Sequence, residues 1–278
     1  MDLDYKRLKS TYNDLFQNNE KCDHVLTDVL FAYKEFYEFI NDKKVSKVLE
    51  IGSGTGILLN EFSQIFKDKI FYGLDPHKKG FNEYENVSKK ISNKNLFIFH
   101  EDFEKFKPKN KFDLIISFNV FEHVDDPIKY IKKIDSFLNN HGKSIILCPN
   151  YDFPYEPHFV IPIIYNKHLT FKLFKSKIVN HEIKTGEKGL WQGLNLCSKK
   201  KIENYLKKNK YNYNFDQGIV ERLLSRIHND QSEYFQKRQG LMAKIAKFGM
   251  KLKLDKILFS FFKIPFPYMK LIIKKTIQ

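Results

Sequence analysis

The sequence predicts an α/β fold with a doubly wound, mostly parallel sheet, and three observations carry the prediction. From residue 45 onward, short apolar strands alternate with helical stretches; the first strand runs directly into a glycine-rich turn; and the next strand ends on an aspartate. Such alternation makes βαβ units, whose right-handed crossovers lay helices on both faces of a parallel sheet. Ligands of these sheets lie beyond the carboxyl ends of the strands, so the residues just after each strand bear most on function.

Taken in order, residues 8–40 place Leu26, Val29, Leu30, Tyr33, Phe36, Tyr37 and Ile40 at helical spacing and stop at the polar run 41–44, predicting one or two N-terminal helices. Strands follow at 47–51, 70–74, 96–99, 112–118 and 144–148, with helices at 57–66, 78–91 and 127–138 between them. Residues 151–195 form an aromatic, proline-containing insert too long for an ordinary connection and read as a lid. Ser198 then caps a helix reaching Lys208, and 211–215 reads as a strand. The stretch 219–262 is basic and helical, and 268–275, after Pro265 and Pro267, reads as an edge strand. The organisation is an N-terminal helical cap (1–44), a ligand-binding core (45–150), a substrate lid (151–195) and a C-terminal part with a basic helical insertion (196–278).

At 278 residues, with 42% hydrophobic and 29% charged content, the chain can bury a full core, which excludes disordered and fibrous classes. Its formal charge of +15 admits nucleic acid or an anionic membrane as partners. Only four of the 48 basic residues are arginine, however, the residue whose planar fork reads bases and phosphates, so nucleic acid is disfavoured. Residues 237–275 mix Lys with Leu, Ile and Phe, which suits either a peripheral membrane contact or an amphipathic helix covering the sheet. Cys22, Cys148 and Cys197 are far apart and in no CxxC pair, which indicates a reducing compartment rather than a disulfide framework. With no basic-then-apolar leader after Met1 and no apolar run long enough to span a bilayer, a cytoplasmic location is expected. Oligomeric state is not legible.

The strongest signal is Glu50-Ile51-Gly52-Ser53-Gly54-Thr55-Gly56, a strand end, tight turn and helix start where glycines let the backbone approach a ligand. Asp75 ends the following strand, where a carboxylate can take both hydroxyls of an adenosine ribose. Dinucleotide sites usually read G-x-G-x-x-G and hold a pyrophosphate at the helix N-terminus. Here Glu50 precedes the first glycine, where it repels a pyrophosphate and attracts an ammonium group, favouring S-adenosylmethionine over NAD.

Together with His100-Glu101-Asp102-Phe103 and residues 112–124, these positions resemble the motif series of class I S-adenosylmethionine-dependent methyltransferases, over roughly residues 45 to 150. The resemblance implies a Rossmann-like, seven-stranded sheet with an antiparallel last strand, its sixth and seventh strands being 211–215 and 268–275. It places Gly52, Ser53, Gly54 and Gly56 under the methionine part of the cofactor, Asp75 on the ribose, Asp102 beside the adenine amino group, Phe103 against the adenine ring, and Ser117 to Asn119 along the cofactor.

Phe121-Glu122-His123-Val124 follows the fourth core strand and resembles the N-x-L-E-H-V stretch of ubiquinone-biosynthesis O-methyltransferases, with Phe121 for the leucine. Glu122 and His123 are therefore expected at the mouth of the cofactor site, with His123 as a proton acceptor for a hydroxyl substrate. The segment also resembles the E-x-x-E-H metal motif of some relatives, but Asn119 replaces its first acid, and no metal is predicted. The lid adds Tyr151, Tyr155, Glu156, His158 and Trp191, with His158 a third catalytic candidate. The expected activity is methyl transfer to a hydroxyl of a small molecule or glycan; an RNA methyltransferase and a non-catalytic cofactor-fold scaffold are the alternatives.

Overall fold

The structure, a computed structural model, describes residues 3–77, 82–230 and 265–275, with isolated positions between 234 and 251. The N-terminal stretch folds as α1 (Tyr5–Tyr12), a 3₁₀ turn (Asn13–Leu15) and the long α2 (Asn19–Asn41). Asp4 and Asn18 cap the two helices by accepting hydrogen bonds from the Arg7 and Lys21 amides, which satisfies donors that the first helical turn leaves open.

The core then runs β1 (Lys47–Ile51), α3 (Ile57–Ile65), β2 (Ile70–Leu74), α4 (Asn82–Ser88), β3 (Leu96–Phe99), β4 (Phe112–Phe118), a 3₁₀ turn (Phe121–His123), α5 (Pro127–Phe137) and β5 (Leu138–Pro149). The insert after β5, expected to act as a lid and called the lid below for its position alone, holds β6 (Tyr155–Glu156), β7 (Ile161–Pro162), α6 (Lys167–Thr185) and α7 (Leu190–Gly193). After it come α8 (Lys199–Lys208), β8 (Asn212–Phe215), α9 (Ile219–Asn229) and β9 (Tyr268–Lys274). Of the predicted helices, residues 78–81 and most of the stretch beyond 230 lie outside the described residues.

The strands form one seven-stranded sheet in the order β3-β2-β1-β4-β5-β9-β8, parallel from β3 to β5, with β9 antiparallel to both its neighbours. This is the predicted architecture with one correction. The segment read as an edge strand, β9, is interior, and β8 forms the edge. The reason lies in its residues: Met269, Leu271 and Ile273 are buried on one face, while Lys270, also buried, reaches α2 on the other. A strand covered on both faces gains from a neighbour on each side. Pro265 and Pro267 precede it, where their missing N–H groups interrupt no ladder.

Residues alternate between two cores, as the two-residue period of a strand requires. Val48, Leu114, Ile116, Ile145 and Leu147 face α2, α3 and α9, whereas Leu49, Ile51, Ile115, Ile146 and Cys148 face α5 and α8. The lid has a small core of its own from Phe159, Ile161, Ile178, Trp191 and Leu194. The carboxyl ends of β1, β2, β4 and β5 therefore share one edge of the sheet, and the lid begins directly after β5.

Candidate active site

Gly52, Gly54 and Gly56 all have left-handed backbone, with φ of +75°, +51° and +74°. A Cβ at Gly52 would lie 2.1 Å from Val120 Cγ2, and one at Gly56 2.5 Å from Ile98 Cδ1, so the turn tolerates no side chain at either end. Asp75 fastens this turn: its Oδ2 accepts from the Gly54 amide at 2.9 Å and its Oδ1 from the His77 amide at 2.8 Å. The His77 ring lies 2.7 Å from the Gly54 carbonyl through Nε2 and 3.0 Å from His100 Nδ1.

Under the loop, Glu50 is buried and its Oε2 has no hydrogen-bond partner among the described residues, and the same is true of Ser53 Oγ. Burial, with the Asp75 charge nearby, pushes the Glu50 carboxyl up to about 8. Asp102 sits in the turn after β3, where its carbonyl accepts from the Lys105 and Phe106 amides. The half-buried Phe103 ring rests on Tyr130 and Phe137, 4.8 and 5.8 Å between centroids, with Lys133 Nζ 4.9 Å from its own.

A second group of residues gathers after β4 and under the lid. Asn119 has left-handed backbone (φ +53°), a conformation that costs a non-glycine residue energy and is concentrated at functional sites. Its Oδ1 accepts from the buried hydroxyl of Tyr268 on β9. The chain next makes the 3₁₀ turn that aims Glu122 inward and exposes an edge of His123. Glu122 is fully buried, and neither of its carboxylate oxygens accepts a hydrogen bond from another described residue. Burial raises its carboxyl to about 7, against a lowering by His158. Burial and the neighbouring His158 keep the His123 imidazole well below its ordinary value, and hence neutral.

The lid delivers His158 and Glu156 to the same place. His158 Nδ1 is 2.6 Å from Glu156 Oε1, and its Nε2 is 4.0 Å from Glu122 Oε1, while His123 Nε2 is 3.9 Å from that same oxygen. Burial alone would raise Glu156, but His158 and the Phe159 amide, donating to Oε2 at 2.8 Å, hold it below the ordinary carboxylate value. Tyr151 donates to Glu156 Oε1 at 3.2 Å. Trp191, by contrast, is buried in the lid core against Phe159 and Phe171 and takes no part in the cluster.

Asn195 escaped the sequence reading. It closes the lid, donating from Nδ2 to the Phe121 and Val124 carbonyls (2.7 and 2.9 Å) and from its amide to the Glu122 carbonyl (2.8 Å). Those partners lie some seventy residues earlier in the chain, so no local pattern announces them.

Residues 20–210 match a family model described as a methyltransferase domain. The chain belongs to that methyltransferase family. Among its relatives, an uncharacterised protein of Mycobacterium tuberculosis is 27% identical over 202 residues, covering 71% of this methyltransferase and 68% of the relative. An uncharacterised methyltransferase of Bacillus mycoides is 30% identical over 137 residues, 49% of this chain and 60% of that one. Two solved structures share the fold. One is phosphoethanolamine N-methyltransferase 2 of Haemonchus contortus in complex with S-adenosyl-L-methionine (TM-score 0.58, 14% identity, 99% of this chain and 60% of that one). The other is the plantazolicin methyltransferase BpumL with a triazolic desmethylPZN analog and SAH (TM-score 0.50, 16% identity, 98% and 91%). No described helix of this methyltransferase is long and apolar enough to cross a membrane.

Proposed function

We propose that this methyltransferase uses S-adenosylmethionine to methylate a hydroxyl oxygen of a small molecule or glycan. The observation that carries the reading is the pairing, along one edge of the sheet, of a bare glycine loop fastened by Asp75 with a buried carboxylate–imidazole cluster under the lid. The loop side fits the cofactor by its own chemistry. Glu50 Oε2 and Ser53 Oγ are buried acceptors without partners among the described residues, suited to an ammonium group, and Asp75 keeps lone pairs for ribose hydroxyls. Asp102 and Phe103, after β3, would take the adenine, and Asn119 would lie alongside. When bound, S-adenosylmethionine supplies a sulfonium methyl, whose C–S bond breaks as the acceptor's O–C bond forms, the electron pair staying on sulfur.

The acceptor's proton then needs a base, and the geometry favours His158 over His123. Glu156 on Nδ1 orients the His158 ring, the arrangement by which a carboxylate positions an imidazole for proton transfer. His123, held neutral, orients the acceptor. A lid closed over a bound acceptor would limit, without abolishing, the access of water to the transferable methyl group. Three free, buried cysteines fit a reducing compartment, in keeping with a cytoplasmic enzyme.

Calorimetric titration with S-adenosylmethionine, and separately with NAD, tests the cofactor; saturable binding of the former alone is expected. Transfer of labelled methyl to a panel of hydroxylated glycans and phenols then tests the acceptor, and labelling of none of them while RNA is labelled in a salt-sensitive way would overturn it. Cofactor binding without turnover on any acceptor would favour the scaffold.

A further inference from the structure

We propose that Glu122, His123 and His158 hold a divalent first-row transition ion beneath the lid. One donor atom from each of the three lies within 4.8 Å of the other two. A tetrahedral ion with bonds of about 2.1 Å places its ligand atoms about 3.4 Å apart, so small side-chain rotations complete the set.

Glu122 supplies the independent support. A fully buried carboxylate with no hydrogen bond from another described residue to either oxygen is costly unless a cation completes it, and its Oε1 faces both imidazole nitrogens at 3.9 and 4.0 Å. The surroundings are built as ligand supports are. Glu156 lies on His158 Nδ1, with Nε2 4.0 Å from Glu122 Oε1, the carboxylate–histidine pairing that backs metal ligands. Glu156 is itself held by the Phe159 amide, and Asn195 pins the turn that carries Glu122 and His123. Two nitrogens among three donors suit zinc, cobalt or iron better than magnesium, calcium or manganese, which prefer oxygen sets.

This reverses the sequence expectation of no metal. That expectation weighed only residues 119–123, where Asn119 stands for an acid, and could not see His158 arrive from the lid. Three protein ligands leave coordination positions open for an acceptor oxygen. The ion would then raise the acidity of that hydroxyl and take over from His158, whose Nε2 becomes a ligand, the acceptor proton passing to water. That catalytic consequence rests on the hydroxyl-methylation reading; the binding of the ion does not.

The test uses the full chain, stripped with chelator and titrated with Co²⁺ by visible absorption and Zn²⁺ by calorimetry, without cofactor or acceptor. One saturable ion per chain is expected, with cobalt bands of a mixed nitrogen and oxygen site. His158→Ala and Glu122→Gln should each weaken it by at least about 100-fold, and Glu156→Gln, which keeps all three ligands, by about 10- to 100-fold. Circular dichroism checks that each variant folds, and Glu156→Gln serves if a ligand variant does not. No saturable binding by the wild type, or unchanged affinity in the folded variants, overturns the site. Because no methyl donor is present, failure here is separate from failure of the methyl-transfer reading.

Discussion

Glu50 illustrates how a single side chain can tie ligand binding to pH. In the folded chain it keeps its proton up to about 8, against an ordinary value of 4.5, chiefly because it is buried and secondarily because of Asp75. A group with a raised folded value contributes stability that is full below 4.5 and lost as the pH rises through about 8. Glu50→Gln should therefore flatten the melting temperature across that window. It should also abolish a rise in S-adenosylmethionine affinity over the same range, since only the ionised carboxylate attracts an ammonium group. Calorimetry at several pH values reads the second effect. Asp75→Ala removes the acceptor for two amides and should weaken cofactor binding about 10- to 100-fold, whereas His123→Ala should spare binding and lower turnover. The glycines, Asp75, Glu122 and His123 were legible because each sits at a fixed offset from a strand end. The link from Glu156 through His158 to Glu122 was not, because it depends on how the lid folds back.

Two short elements set the site, and each is open to a local test. At the glycine turn, Gly52→Ala drives a Cβ into Val120 at a positive φ, an expected cost of about 1–3 kcal/mol with loss of cofactor binding, read by thermal unfolding and calorimetry. At the 3₁₀ turn, Asn195→Ala removes two hydrogen bonds that hold the lid's end against Phe121 and Val124. Faster hydrogen exchange at residues 121–124 and lower turnover, with cofactor affinity unchanged, are the expected results. The core strands and most helices were legible from apolar period and turn residues, with Ser198 as a cap. The start of β5 at Leu138 was not, since a shift in its pairing with β4 between Phe112 and Leu114 adds polar residues to the strand.

At the scale of the whole molecule, α2, α9 and β9 are joined by an ionic knot in which Glu35 and Lys270 are buried and Arg222 reaches solvent. Glu35 accepts from Arg222 through both oxygens (2.6 and 2.9 Å) and from Lys270 Nζ at 2.8 Å. Glu35→Ala would leave the buried Lys270 ammonium with only the residue-35 carbonyl at 2.8 Å and Asp216 at 3.8 Å, and should cost about 3 kcal/mol in chemical denaturation. None of this was legible, because three residues far apart in sequence pair only once the sheet is formed. The interior position of β9 reaches into biosynthesis. As the chain leaves the ribosome, β5 is exposed along one side and β8 has nothing to join until residues 268–274 emerge. Completion of the sheet therefore waits on residues 268–274, and a nascent chain paused before that strand presents an unpaired apolar ribbon for chaperones to shield.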